Sequence, residues 1–307
     1  MFESQGQAEK LVGIEASVSA FRAVCLDREG GLTAAYSVNL SREQPTLRQF
    51  AQFVAELKDR FGEFSKVGVA VPGLVDREAK RVEFSAHFPE HTGVDLSEQL
   101  RSETGIESVI ENDANAAAYG EYKLGAGRGS SSMFYATIGA GIGGAFIFGD
   151  RIWRGASGFA GEFGYVAINS EGLRLEDVAS TDNIVRRTRS RFNRDSTSSL
   201  NKLQEEAIHI DDILAAAENG DDFAQLMLER TGNYIGSAIA NVINLLNVER
   251  IVLGGAITSA RHLVLDAVIA RANYLSFEPS FESCEIVEGS LAENAAAIGA
   301  ALIAYET

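Results

Sequence analysis

The sequence predicts an α/β protein of two similar halves with a cleft between them. Three observations carry this reading. Short apolar strands alternate with amphipathic helices, the order of elements restarts after about residue 125, and three strand ends run straight into glycines.

The first half opens with "KLVGIEAS" (10–17) and "AFRAVCLD" (20–27), two strands joined by a tight turn, and adds a third, "LTAAYSVNL" (32–40). In "TLRQFAQFVAELKDRF" (46–61), Leu47, Phe50, Phe53, Val54 and Leu57 fall at helical spacing. "KVGVAVPG" (66–73) is a buried strand that Pro72-Gly73 cannot continue. A helix runs from Asp95 to Gly105, "ESVIEN" (107–112) is a strand, and 113–123 is a helix.

The pattern then repeats. "SMFYATIG" (132–139) and "GGAFIFG" (143–149) form a second glycine-linked hairpin, and "YVAIN" (165–169) reads as a third strand. A long helix over about 221–247 carries one apolar stripe that includes Phe223, Met227, Ile235, Ile239 and Val242. "RIVLGGA" is a buried strand, "ARHLVLDAVIARANYL" a helix, "SCEIVEGS" a strand and "ENAAAIGAALIAYE" a closing helix. The polar segment 193–205 reads as a mobile loop. The expected halves are 1–124, with part of the closing helix (293–307) able to pack back on it, and 125–307.

Composition narrows the function. A net charge of −16 opposes nucleic-acid binding, and the short basic run 185–194 reads as a solvated helix face. The two cysteines, Cys25 and Cys284, form no CxxC pair, which argues against a cysteine-based zinc site and for a reducing, cytoplasmic setting. "MFESQGQAEK" lacks the basic and apolar regions of a signal peptide, and glycines interrupt the longest apolar run, so no membrane span is expected.

"VAVPGLVD" (69–76), "ATIGAGIGG" (136–144) and "IVLGGAIT" (251–258) share one grammar, an apolar strand followed by glycines. Glycine lets a ligand approach backbone amides, and a row of amides can cradle phosphate. Asp113 stands where "ESVIEN" meets a helix, the edge at which open α/β sheets bind ligands. Its bland role is a helix N-cap; its chemical role is a fixed carboxylate that takes a proton from a hydroxyl.

These segments, with "ENDANAAAYGE", "GDRIWRGASGFAGEFGY", "LEDVAS" and "LAENAAAIGAAL", stand in the order and rough spacing of the ROK family of sugar kinases and sugar-responsive repressors, which the chain resembles from about residue 10 to 305. The resemblance implies an actin-like ATPase (ribonuclease H-like) fold with sugar and ATP between its halves. It assigns Asp113 as the catalytic base, Asn112, Glu162 and Glu176 as sugar-binding residues, and Tyr165 to a sugar-pocket position. Glu15 and Ser19 fall on the first phosphate loop, Gly139, Gly141 and Gly143 on the second, and Gly254 and Gly255 on the nucleotide side.

Four departures stand out. The family's Asp-x-Gly-Gly-Thr loop is here Glu15-Ala16-Ser17-Val18-Ser19, whose side chains are expected to obstruct phosphate and whose longer acid misplaces Mg²⁺. Ala140 replaces a threonine, Tyr165 replaces a sugar- and zinc-binding histidine, and the cysteine-rich zinc loop is missing, so no zinc is expected. The resemblance thus implies weak ATP- and Mg²⁺-dependent phosphorylation of a hexose or N-acetylhexosamine by a homodimer. The alternative is an inactive homologue that binds a sugar or a protein partner. The family's repressors carry an extra DNA-binding helix-turn-helix, for which the roughly ten residues before the first strand leave no room.

Overall fold

The computed structural model describes residues 10–41, 44–76, 81–85, 91–257 and 262–306. The N-terminal stretch read as carrying no signal peptide lies outside them, apart from Lys10. The chain divides into two compact units: residues 1–128, 152–160 and 291–307, and residues 129–151 and 161–290.

In the first unit, β1 (Leu11–Ala16), β2 (Ala20–Leu26) and β3 (Leu32–Asn39) form an antiparallel meander. After helix α1 (Thr46–Phe61), β4 (Lys66–Val71) joins β1 in parallel. A ribbon that the sequence did not announce, β5 (Leu74–Asp76) with β6 (Arg81–Phe84), follows. Helix α2 (Leu96–Thr104) then leads to β7 (Glu107–Asn112), parallel to β4, and to α3 (Asp113–Leu124). The sheet order is β3-β2-β1-β4-β7. Phe50, Phe53 and Leu57 of α1 and Val12, Ile14, Val67 and Val69 of the sheet make one core.

The second unit repeats that topology. Strands β8 (Ser132–Ile138) and β9 (Ile142–Phe148) come first, β10 (Arg151–Trp153) has only Arg151 in this unit, and the sheet order is β10-β9-β8-β11-β12. Two short helices, α4 (Glu176–Ala179) and α5 (Thr181–Arg189), precede α6 (Ile210–Glu218) and the long α7 (Asp222–Leu246). Strand β11 (Arg250–Gly254), helices α8 (His262–Leu275) and α9 (Glu278–Glu282), and β12 (Glu285–Glu288) complete the unit. Strand β11 lies parallel to both β8 and β12.

Two expectations for this unit are corrected. "YVAIN" is not a strand: Phe163–Tyr165 form a 3₁₀ turn, and only Ala167 bridges Arg174 in a small loop closed by Ile168 N–H to Leu173 O (2.8 Å). Residues 193–205 are not an unstructured loop. They contain 3₁₀ turns at Ser199–Lys202 and Glu205–Ala207, and the Asp221 carboxylate accepts hydrogen bonds from Ser198 Oγ and from Ser199 N–H and Oγ. That carboxylate also caps α7, so one acid orders both segments.

The closing helix α10 (Ala295–Glu306) lies in the first unit, against β1, β4 and α3. Its almost wholly apolar, small-residue sequence is buried on all sides. The approach is too close for side chains. A Cβ on Gly68 would sit 1.8 Å from Ala300 O, and one on Gly299 would sit 1.7 Å from Ala116 O. This packing clamps α3, and with it the residues at its N-terminus.

Candidate active site

In the first unit the parallel register sets the C-terminal ends of three strands side by side: Glu15 opposite Ala70, and Val71 opposite Asn112. Glu15 of β1, Gly73 after β4 and Asn112-Asp113 after β7 therefore gather at one sheet edge. The helix cap falls to Asn112, not Asp113: Asn112 Oδ1 accepts the Asn115 N–H (3.0 Å) and caps α3. Asn112 Nδ2 donates to Gly73 O (2.9 Å) and to Asp113 Oδ1 (3.1 Å). Asp113 also accepts the Ala114 N–H on Oδ1 (2.9 Å). Capping thus leaves the Asp113 carboxylate to other chemistry, in a fixed position.

Burial pushes the Asp113 carboxyl from its ordinary 3.8 up to about 7, with the nearby Glu15 charge adding to the effect and the hydrogen bonds from Ala114 and Asn112 opposing it. A carboxyl titrating near neutrality is suited to general base work. Behind it, Glu111 is 1% exposed and accepts hydrogen bonds from Asn112 N–H (3.0 Å), Asn115 Nδ2 (3.1 Å) and Arg154 Nη2 (2.5 Å). Arg154 belongs to the short stretch 152–160 that returns to the first unit, and it anchors that stretch to the strand end bearing Asp113.

Glu15 forms an ion pair with Arg22 (2.9 Å), and Arg22 also reaches Glu293 (3.1 Å). Burial raises the Glu15 pKa and the Arg22 charge partly offsets it. The turn between β1 and β2 is closed on itself. Ser17 N–H donates to Ala20 O (2.9 Å), Ala20 N–H donates to Ser17 Oγ (3.0 Å), and the Ser17 hydroxyl donates to Ala20 O (2.9 Å). The Ser19 carbonyl accepts the Leu40 N–H. Val18 is exposed at the tip.

In the second unit the turn Gly139-Ala140-Gly141 joins β8 to β9, with Gly139 N–H donating to Gly141 O (2.9 Å). Gly143 lies within β9, paired with Thr137, and not in the turn. Glu176, the first residue of α4, accepts the Ile142 N–H (2.8 Å), and a Cβ on Gly141 would meet its Oε2 at 3.3 Å. Glu162 opens the 3₁₀ turn after Gly161, whose φ of 103° and close approach to Gly144 O exclude a side chain. Burial and then the Glu176 charge raise the Glu162 pKa, so the two acids named from sequence act on each other. Tyr165 is largely exposed, with the Arg174 guanidinium 4.3 Å from its ring centre.

Gly254 and Gly255 end β11 against β8. A Cβ on Gly254 would strike the Tyr135 ring, and Gly255, at φ 88°, would strike the Ile138 backbone. Their glycine identity has a packing cause here, whatever they bind.

Sequence reasoning passed over Arg22, Glu293, Glu111, Arg154 and Gly161. One was recoverable: a hairpin closed through 17–20 places Arg22 directly opposite Glu15. Arg154 and Glu293 were not, because their partners lie 43 and 271 residues away in sequence. Among the described residues no group of three His, Cys, Asp or Glu could hold a metal ion, and no helix is long and apolar enough to cross a membrane.

The chain is similar to a glucokinase of Thermotoga maritima, 31% identical over 97% of this chain and 98% of the relative. It is 27% identical to the xylose repressor of Bacillus spizizenii, covering 96% of this chain and 77% of the repressor. Among solved structures it resembles the ROK family glucokinase of Streptomyces griseus in complex with glucose and AMPPNP, with a TM-score of 0.85, 25% identity, and coverage of 97% of this chain and 100% of that one. The two sheet-containing halves are those of the actin-like ATPase fold of the ROK sugar kinases. With a family model matching residues 11–307 and a near-full-length relative at this identity, the chain belongs to the ROK family.

Proposed function

We propose that the protein is a sugar kinase that transfers a phosphoryl group from ATP to a hydroxyl of a hexose or N-acetylhexosamine, at low turnover. Asp113 carries the reading: a rigidly held carboxyl at a strand end, pushed up to about 7 and relieved of capping duty by Asn112. Likeness to a glucokinase solved with glucose and AMPPNP supports the choice of substrates.

Asp113 accepts the proton of the attacking hydroxyl, and Asn112 fixes its orientation by donating from Nδ2 to Asp113 Oδ1. Glu162 and Glu176 hold sugar hydroxyls, with Tyr165 at the position where the family carries histidine. Gly139 and Gly141 leave only the Ala140 methyl on the second phosphate loop, and Gly143, Gly254 and Gly255 are the other glycines of the nucleotide side. Phosphoryl transfer depends mainly on positioning and charge neutralisation.

Mg²⁺ is the family's expected companion to ATP, but Glu15 does not fit it: its carboxylate already has Arg22 at 2.9 Å, and Mg²⁺ requires oxygen ligands in near-ideal geometry.

ADP release measured over a panel of hexoses and N-acetylhexosamines, beside sugar-induced thermal shifts, tests the reading. One sugar turning over slowly supports it. A sugar that binds without any ADP release favours the competing reading of a sugar-binding homologue, for which the closed β1–β2 turn speaks. No binding and no release by any sugar overturns both.

The protein is also proposed to be a homodimer. On the second unit, Leu245 and Leu246 at the end of α7 stand beside Tyr274 and Leu275 at the end of α8 and Phe277 at the start of α9. Asn244 links the two, donating to Leu275 O (3.2 Å) and accepting the Phe277 N–H (2.8 Å). Leu245, Tyr274 and Phe277 are 81%, 79% and 68% exposed. Aromatic side chains can bury about 150–250 Å² each, and a stable dimer needs roughly 800 Å² per partner, so Tyr274 and Phe277 with the leucines around them form the apolar centre of the proposed two-fold contact. Sedimentation is expected to show a dimer that Leu245→Glu with Phe277→Glu converts to monomer. A dimer unchanged by both substitutions would place the contact elsewhere.

A further inference from the structure

We infer that Arg22 and Ser17 are specificity-determining residues that shut the first loop against a metal-bound triphosphate. The inference concerns the nucleotide side of the proposed reaction, and nothing in it depends on which sugar is used.

A phosphate-binding loop works by offering unpaired backbone N–H groups to an anion and a carboxylate to the accompanying cation. Here the carboxylate and two amides of the turn are already engaged from within. The Ala20 N–H is spent on Ser17 Oγ and the Ser17 N–H on Ala20 O, so the side chain at a position where the family has glycine closes the turn on itself. Arg22 donates to Glu15 at 2.9 Å and supplies the positive charge that the carboxylate would otherwise find in a metal. Glu293, 3.1 Å from Nη2, holds the guanidinium from its other side.

The arrangement is built into the strands. Register sets Arg22 across from Glu15, so the pair forms without bending either strand. A glycine at position 17 could offer no hydroxyl to close the turn. Both features favour an unloaded first loop: a cation at Glu15 has to displace Arg22, and Ser17 and Ala20 hold the turn through three hydrogen bonds.

The test is calorimetric titration of the full chain with MgATP, with metal-free ATP as the second titrant. The variants are Arg22→Ser, Arg22→Lys, the turn double Ser17→Gly/Val18→Gly, and the triple Ser17→Gly/Val18→Gly/Arg22→Ser. The wild type is expected to bind MgATP more weakly than the roughly 1 mM that bounds ordinary KM values. The triple variant is expected to tighten MgATP binding by about tenfold or more without a matching change for metal-free ATP. Arg22→Lys, which keeps the charge, is expected to stay weak.

The turn double leaves both ion pairs intact and sits at an exposed tip, so it remains readable if Arg22→Ser fails to fold, and it is expected to tighten binding in part. The inference is overturned if the wild type binds MgATP at micromolar concentration, if Arg22→Ser weakens binding, or if no folded variant tightens it. Sugar titrations without nucleotide keep the two readings apart. A chain that binds no sugar loses the kinase proposal, while the MgATP series still decides the fate of Arg22 and Ser17.

Discussion

Asp113→Asn is expected to lower sugar phosphorylation by about 10²–10⁴ while making the protein more stable above neutrality. The loss follows from removing the proton acceptor. The gain follows from the same burial that suits the residue to its task. The native carboxyl titrates near 7 against an ordinary value of 3.8, so between those pH values the folded state holds a proton that the unfolded state has released. Stability therefore falls as pH rises through this window, and it stays reduced above it. Asparagine keeps an Oδ1 to accept from Ala114 and Asn112 but carries no charge, so it escapes that penalty.

The expected gain at pH 8.5 is roughly 2 kcal/mol, or about 4–8 °C in Tm, shrinking toward nothing near pH 4. Thermal melts of both proteins across this range check it; equal differences at pH 5 and pH 8.5 would contradict the assignment. In the wild type, turnover should rise with pH through about 7 as Asp113 loses its proton.

The largest stability loss is expected from Arg154→Ala. Glu111 is 1% exposed, and after truncation its carboxylate would keep neutral donors in place of a guanidinium at 2.5 Å. Removing one partner of a buried ion pair typically costs 3–5 kcal/mol, because the remaining charge stays desolvated. Arg154 is itself 27% exposed, so about 3 kcal/mol is expected from denaturant midpoints. The double replacement Arg154→Leu/Glu111→Leu should recover much of the loss. Because Glu111 holds the Asn112 N–H, the single variant should also raise the KM for sugar; a variant that lost stability with KM unchanged would show that the pair supports the fold alone.

Much of this was legible in the chain itself, because it depends on near neighbours in sequence. Apolar period and glycine-terminated strands gave the meander, the parallel strands and the long α7, since strand and helix periods are written locally. Asp113 and Asn112 were visible as a pair, though which of them caps the helix was decided by side-chain geometry at the end of β7. "YVAIN" misled because its alternation fits a strand, but Ala167 pairs only with Arg174, across a loop too small to support more.

The sequence alone determined the family, the doubled α/β pattern, the acids of both units and the loss of glycine from the first loop. Only the tertiary structure decided what those residues do. Arg22 met Glu15 through strand register, Arg154 met Glu111 through a segment that returns to the first unit, and burial lifted Asp113 into the neutral range. Local pattern fixes which elements form, whereas charge pairing and desolvation depend on contacts between residues far apart in the chain, and these exist only once it has folded.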